Sequence, residues 1–239
     1  ANFLKEKKGC DTIAEKFDRK EKEGVAYPEI TGAQVTEPQE ISVDNLSFSY
    51  DNQDMILKNL SVTFERGKKY LIRGESGTGK STLGELLEGG LTPTGGTVKI
   101  NNQDISKFSD GYIYQYVRKV NQKAYVYSAS IGENIKFLRN VPEEEVQKAL
   151  KDVSLQHLDS GQLATEASGG EQERITIARS LIDPPGIVIY DEPTAALDEK
   201  NSYQIMEKIT ELNSTVICIS HNTSKEVENL FDEVLTLSK

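Results

Sequence analysis

The stretch GESGTGKST, Gly74 to Thr82, constrains this chain more than any other. It follows the apolar residues Tyr70, Leu71 and Ile72 and leads into a helix-forming run, the strand-loop-helix context of a P-loop. Gly74, Gly77 and Gly79 let the backbone wrap a phosphate without Cβ clashes and turn its N–H groups inward. Glu75, Ser76 and Thr78 complete the loop, and Thr82 follows it. Lys80 is placed to reach β- and γ-phosphates, and the Ser81 hydroxyl to ligate Mg²⁺. The plain alternative is a flexible glycine turn carrying a solvated lysine. Strand, loop, Lys-Ser pair and helix together argue against it.

The rest of the chain repeats that alternation. ISVDNLSFSY alternates as a strand from Ile41, LSVTFERGKKYLIRG reads as two strands joined at Arg66-Gly67, and GTVKINNQDI is a further strand and turn. A helix is expected from Lys80 to about Glu88, and a short strand at VRKVNQ. Residues from about 142 to 182 read as helical, opened by Pro142 in the first turn and broken around Ser160-Gly161. GIVIYDE and STVICISH are almost wholly apolar and β-rich, as central parallel strands buried on both faces require. The fold class is therefore α/β, with a parallel-sheet core.

IVIYDEPTAALD supplies acids to match the P-loop. A buried strand ends in Asp191 and Glu192, so both carboxylates emerge at the carboxyl edge of the sheet, where ligands bind in open α/β folds. Asp191 is expected to hold Mg²⁺ through a water, and Glu192 to polarise the water that attacks a γ-phosphate. A third stretch, ASGGEQER, sets Ser168, Gly169 and Gly170 at a helix start, a second place suited to an anion.

Composition narrows the partners. With 28 Lys+Arg against 38 Asp+Glu the formal charge is −10, the wrong sign for a nucleic-acid backbone, so no nucleic acid is expected. The two cysteines, Cys10 and Cys218, form no disulfide framework, which fits a reducing cytosol. No apolar run approaches bilayer length, and the opening ANFLKEKKGC is no signal peptide and reads as the start of a fragment. Residues 2 to 23 read as a charged helix with a thin apolar stripe at Cys10, Ile13 and Phe17, followed by a linker punctuated by Gly24, Pro28, Gly32 and Pro38. That arm is either frayed or the tail of a longer helix.

In order, P-loop, ASGGEQER, IVIYDEPTAALD and ISH resemble the ATP-binding cassette (ABC) ATPases over about residues 41 to 236. The resemblance implies a P-loop NTPase (RecA-like) core with an antiparallel β subdomain and an inserted α-helical subdomain at about 124–182. It also implies ATP and Mg²⁺ as cofactors and a head-to-tail dimer with a second cassette, identical or paralogous. Ser168, Gly169 and Gly170 would then hold the γ-phosphate bound to the other chain's P-loop, which gives the second anion site its use. Tyr50 matches the aromatic that stacks on adenine, and Gln122 the glutamine that contacts Mg²⁺ and the lytic water and senses the transport domain. His221 matches the switch histidine on the γ-phosphate, and Asp198 the loop that crosses the dimer interface. His157 matches nothing and is expected at the surface. For the tyrosines at 112, 114, 116, 125 and 127, packing is favoured over base stacking, given the acidic charge.

YVYSASIGENI resembles the segment that follows the glutamine in exporters whose cassette is fused behind membrane helices. The implied reading is an exporter half-transporter motor at the cytoplasmic face of the membrane. Residues 1–38 would be a helix and linker following a transmembrane domain of the same polypeptide, and 39–239 the nucleotide-binding domain. The alternatives are a soluble non-transport ABC ATPase and, more distantly, a simple P-loop kinase. Five departures from the family pattern stand out. LATEASGG is too short for the usual acidic, glycine-containing loop, Ala167 replaces leucine, and Glu171 replaces glutamine, adding negative charge near a partner's nucleotide. Arg73 is expected to be partly exposed or paired, and Gly84 to weaken its helix by about 1 kcal/mol relative to alanine.

Overall fold

The computed structural model describes residues 37–50, 54–123, 125–195, 197–221 and 223–238. The expected N-terminal arm and most of its linker lie outside the described residues.

Two sheets carry the fold. Strands β1 (Glu40–Phe48), β2 (Leu57–Glu65), β4 (Gly95–Ile100) and β5 (Gln103–Asp104) form an antiparallel sheet in the order β2-β1-β4-β5. Strands β3 (Lys69–Arg73), β6 (Val117–Val120), β7 (Ile187–Asp191), β8 (Thr215–Ile219) and β9 (Glu233–Thr236) form a parallel sheet in the order β6-β7-β8-β3-β9. The helices are α1 (Lys80–Leu87), α2 (Asp110–Tyr116), α3 (Ile131–Lys136), α4 (Glu143–Asp152), α5 (Gly169–Leu181), α6 (Glu199–Thr210) and α7 (Lys225–Glu228).

The period-2 alternation of the central strands divides their side chains between two cores. Ile187 and Ile189 of β7, with Ile217 and Ile219 of β8, meet α1 through Leu83, Leu86 and Leu87 and the antiparallel sheet through Ile41, Phe64 and Ile100. Val188, Tyr190, Val216 and Cys218 face the opposite way, into a core closed by Ile135 of α3, Leu150 of α4, Ile177 of α5 and Ile209 of α6. Every residue of β7 and β8 is buried, which is why their sequences are continuous apolar runs rather than alternating ones. Each such aliphatic side chain contributes about 1.5–3 kcal/mol by leaving water. In the second core, burial pushes the Tyr190 hydroxyl and the Cys218 thiol above their ordinary pKa values, so both stay neutral.

The stretch expected to be helical from 142 to 182 is more interrupted than its periodicity suggests. Helices α4 and α5 are separated by the whole segment 153–168, whose only helical piece is a 3₁₀ turn at Ala164–Glu166. Ser154 takes a left-handed φ of 59° and Ser168 caps the next helix, so the chain leaves the helix at Val153 rather than near Gly161. Pro142 stands at the N-cap, one position earlier than expected. The short helix α2 accounts for two of its three tyrosines, while Tyr114 departs from the packing expectation and is 63 % exposed. Tyr112 stacks on Phe108 at 4.5 Å, and Tyr116 sits 4.7 Å from Tyr112, one helical turn on. These rings pack on one another, as expected.

A polar clamp fixes the segment after Gln122. Asn134 Nδ2 donates to the carbonyls of Tyr127, Ala129 and Ser130, and its Oδ1 accepts from the Tyr127 N–H. Arg179 of α5 donates to the carbonyls of Asn134 and Tyr125. Arg139 donates to the carbonyls of Ile135, Arg179 and Ile182, tying the ends of α3 and α5 together.

Candidate nucleotide site

The P-loop lies between the end of β3 and the start of α1, in the first core's layer. Gly79 is the N-cap of α1 with φ 88°, a left-handed conformation. A Cβ there would also come within 2.8 Å of Leu57 Cδ2, so glycine is required twice over. No side chain caps this helix and no acidic residue occupies its first turn, which leaves its first N–H groups open to an anion. Lys80 folds back over the loop, its ammonium donating to the carbonyls of Gly74 at 2.7 Å and Glu75 at 2.8 Å.

One residue further on, the Ser81 hydroxyl donates to Asp191 Oδ1 at 3.0 Å across a sequence gap of 110 residues. Asp191 ends β7 and is 6 % exposed. Its neighbour Glu192 takes φ 51°, uncommon for a residue with a side chain, and its N–H donates to the carbonyl of Ile219 at 2.9 Å. That turn brings Glu192 to two of its expected companions. Gln122 Nε2 donates to its Oε2 at 3.3 Å, and His221 Nδ1 lies 3.0 Å from its Oε1. Glu192, Ser220 and His221 line a concave part of the surface. Tyr50, 61 % exposed, stands edge-on to Phe48 at 4.9 Å, its hydroxyl 3.3 Å from that of Thr82.

The helix start at ASGGEQER is built differently. Ser168 caps α5 in a reciprocal box: its hydroxyl accepts from the Glu171 N–H, and its own N–H donates to Glu171 Oε2 at 2.8 Å. The Glu171 carboxylate also receives the Ser168 hydroxyl at 2.6 Å, and His157 Nε2 lies 3.2 Å from its other oxygen. The two Ser168 donors, with His157 behind them, hold this carboxyl down at about 2. His157 is at the surface as expected, but it has a partner, which residue spacing did not reveal. A side chain added at Gly169 or Gly170 would meet nothing within 4 Å, so both face open space. Asp198 is the N-cap of α6, accepting from the Asn201 N–H at 3.0 Å.

Two of the departures from pattern, Ala167 and Arg73, have structural answers here. Ala167 remains buried in the second core at 8 % exposure, so the position keeps its apolar anchoring with a smaller side chain. Arg73 is exposed and paired, its guanidinium reaching Glu228 and Thr236.

The family described as ABC transporter matches residues 57–195, more than half of the chain. The chain belongs to that family. Its ABC cassette is 33 % identical over 207 residues to the glutathione/L-cysteine transport system ATP-binding/permease protein CydD of Bacillus subtilis, covering 80 % of this chain and 36 % of that protein. It is 31 % identical to the ABC transporter ATP-binding protein YtrE of the same organism, over 72 % of this chain and 81 % of that one. A solved bacterial Atm1-family ABC exporter with ATP bound superposes with a TM-score of 0.75 at 30 % identity, over 86 % of this chain and 38 % of that one. The ABC cassette thus spans about a third of the length of its ATP-binding/permease relatives. Membership assigns it ATP binding and hydrolysis, and the ATP-binding/permease protein and the Atm1-family exporter place it with exporter-type cassettes.

Magnesium fits the residues present. Ser81 and Asp191 offer hard oxygen donors already in contact. Among the described residues no group of three or more His, Cys, Asp or Glu is placed to hold a metal alone, as suits a cation that takes most of its ligands from phosphate and water.

Proposed function

We propose that the chain is the ATP-hydrolysing motor of an ABC exporter half-transporter, dimerising around two ATP molecules to drive export. The convergence of Gln122 and His221 on Glu192, beside the Ser81–Asp191 contact, carries this reading. In it, the N–H groups of Gly74 to Thr82 cradle the phosphates, and Lys80 leaves its two carbonyls for the β- and γ-oxygens. Ser81, Asp191 and Gln122 hold Mg²⁺, whose charge offsets that of the phosphates. Glu192 Oε1 or Oε2 takes the proton of the attacking water. Gln122 and His221 fix that carboxylate before ATP arrives, so little reorganisation remains at the moment of reaction. Tyr50 stacks on adenine.

The two helix starts divide the work between chains. Ser168, Gly169 and Gly170 meet the γ-phosphate held by a second, head-to-tail cassette, and Asp198 lies at the seam between them. Gly169 and Gly170 have the open approach that a second surface needs. We place residues 39–239 in the cassette and the helical subdomain at about 124–182. The transmembrane domain would be part of the same polypeptide, as in the ATP-binding/permease relatives, with the cassette at the cytoplasmic face. No helix among the described residues is long and apolar enough to cross a membrane.

The test is Glu192→Gln. Turnover is expected to fall by about 10²–10⁴-fold while ATP binding persists, and solution mass with Mg·ATP should report a dimer. Unchanged steady-state hydrolysis would remove Glu192 as the base. A persistent ATP-bound monomer would contradict pairing of identical chains.

A further inference from the structure

Lys119 is a buried cation that the proposed reaction does not use. It lies on β6, the edge strand of the parallel sheet, in register with Ile189 of β7. Val117, two residues earlier, enters the first core, and the Lys119 side chain takes the same face of the strand at 2 % exposure. Its aliphatic stem runs past Gly84 of α1, where a Cβ would stand 3.3 Å from Lys119 Cε, 3.2 Å from Ile219 Cδ1 and 3.5 Å from Ile189 Cγ2. Glycine here makes room for the lysine. The ammonium ends 3.3 Å from Asp191 Oδ2 and 3.8 Å from Glu85 Oε1.

Both oxygens of Asp191 are therefore engaged, Oδ1 by the Ser81 hydroxyl and Oδ2 by Lys119. Glu88 lies within electrostatic reach as well: burial pushes its carboxyl above the ordinary range, against the pull of Lys119. One cation thus serves three acids. A buried lysine survives only when paired, and this one is paired with the carboxylate proposed to serve the metal.

We propose that Lys119 is a positioning residue for the metal site: a tethered cation that fixes the Asp191 carboxylate with Oδ1 turned toward Ser81, and whose charge lowers the site's affinity for Mg²⁺. The lysine holds the site assembled without a divalent ion, at the cost of repelling one. The proposal rests on the nucleotide-site reading above.

The experiment is a Mg²⁺ titration of the binding of a fluorescent, non-hydrolysable ATP analogue, so that no turnover is read. Lys119→Met keeps the length of the stem and loses the charge. Its half-saturating Mg²⁺ should fall on the order of tenfold, because a positive charge leaves a low-dielectric neighbourhood. Glu85→Gln, at a half-buried position, removes negative charge and should raise half-saturating Mg²⁺ by about twofold. Opposite shifts are the expected signature, since a general loss of packing would move both variants the same way. Unchanged half-saturation in folded Lys119→Met, or shifts of one sign in both, would overturn the role. Should Lys119→Met fail to fold, no rise in Glu85→Gln would overturn it alone. If the unsubstituted chain binds no analogue at any Mg²⁺ concentration, the nucleotide-site reading itself fails.

Discussion

Helices α1 and α5 both begin with a small residue facing a prospective phosphate, yet the two starts are opposites. At α1, Gly79 caps with no side chain and the first-turn N–H groups are left for a ligand. At α5, Ser168 and Glu171 satisfy each other, and a carboxylate already sits where an anion would approach. The first start is open to a ligand as it stands. The second must loosen a formed capping box before its serine can turn outward. In the proposed dimer this makes the P-loop the tight half of each composite site and the signature the conditional half.

The comparison is broken most severely at the P-loop. Lys80→Ala should weaken ATP binding by about 10- to 100-fold, the loss expected for charge-assisted hydrogen bonds; equilibrium binding checks it, and unaltered affinity would end the phosphate role. Ser168→Ala acts on the other start alone. It should cost about 1 kcal/mol of stability as a lost N-cap and leave monomer ATP affinity intact. The ATP-driven dimer should vanish from the mass measurement made in the Glu192→Gln background.

Glu171→Gln sharpens the contrast. Glutamine can keep the capping box, so the charge alone is removed, and ATP-dependent dimerisation should tighten by about two- to threefold at low salt. The same substitution has a pH signature. The Glu171 carboxyl is depressed from 4.5 to about 2 in the folded chain, so its contribution is full above 4.5 and is lost as the pH falls toward 2. Acid unfolding of Glu171→Gln should lack that portion of the descent below 4.5. An identical acid profile would show that the carboxylate adds nothing to the cap.

What could be read from sequence was what neighbouring residues decide together. The P-loop and the strand ending in Asp191 and Glu192 each lie in one contiguous stretch, so their geometry follows from local chain chemistry. Contacts between distant segments were not visible in that way. Lys119 looks like an ordinary strand lysine until its partner, 72 residues away in β7, is placed beside it. Gly84 read as a helix cost, and only the packing shows what its missing side chain admits. Helix α6 is hard to read from sequence because its start is polar, EKNSYQ, with Asp198 as its cap. The long break between α4 and α5 was hidden by apolar residues, Val153, Leu155 and Ala164, that enter the same core as the helices flanking them.

The left-handed backbone at Glu192 has a consequence for how this chain can drift. Glycine or asparagine at that position would relax the backbone while ending the proposed proton transfer, and β-branched residues would worsen both. Steps to glycine or asparagine there are thus favoured by folding and opposed by turnover. A lineage released from hydrolysis, but not from binding, would be expected to lose this glutamate first and to gain robustness in doing so.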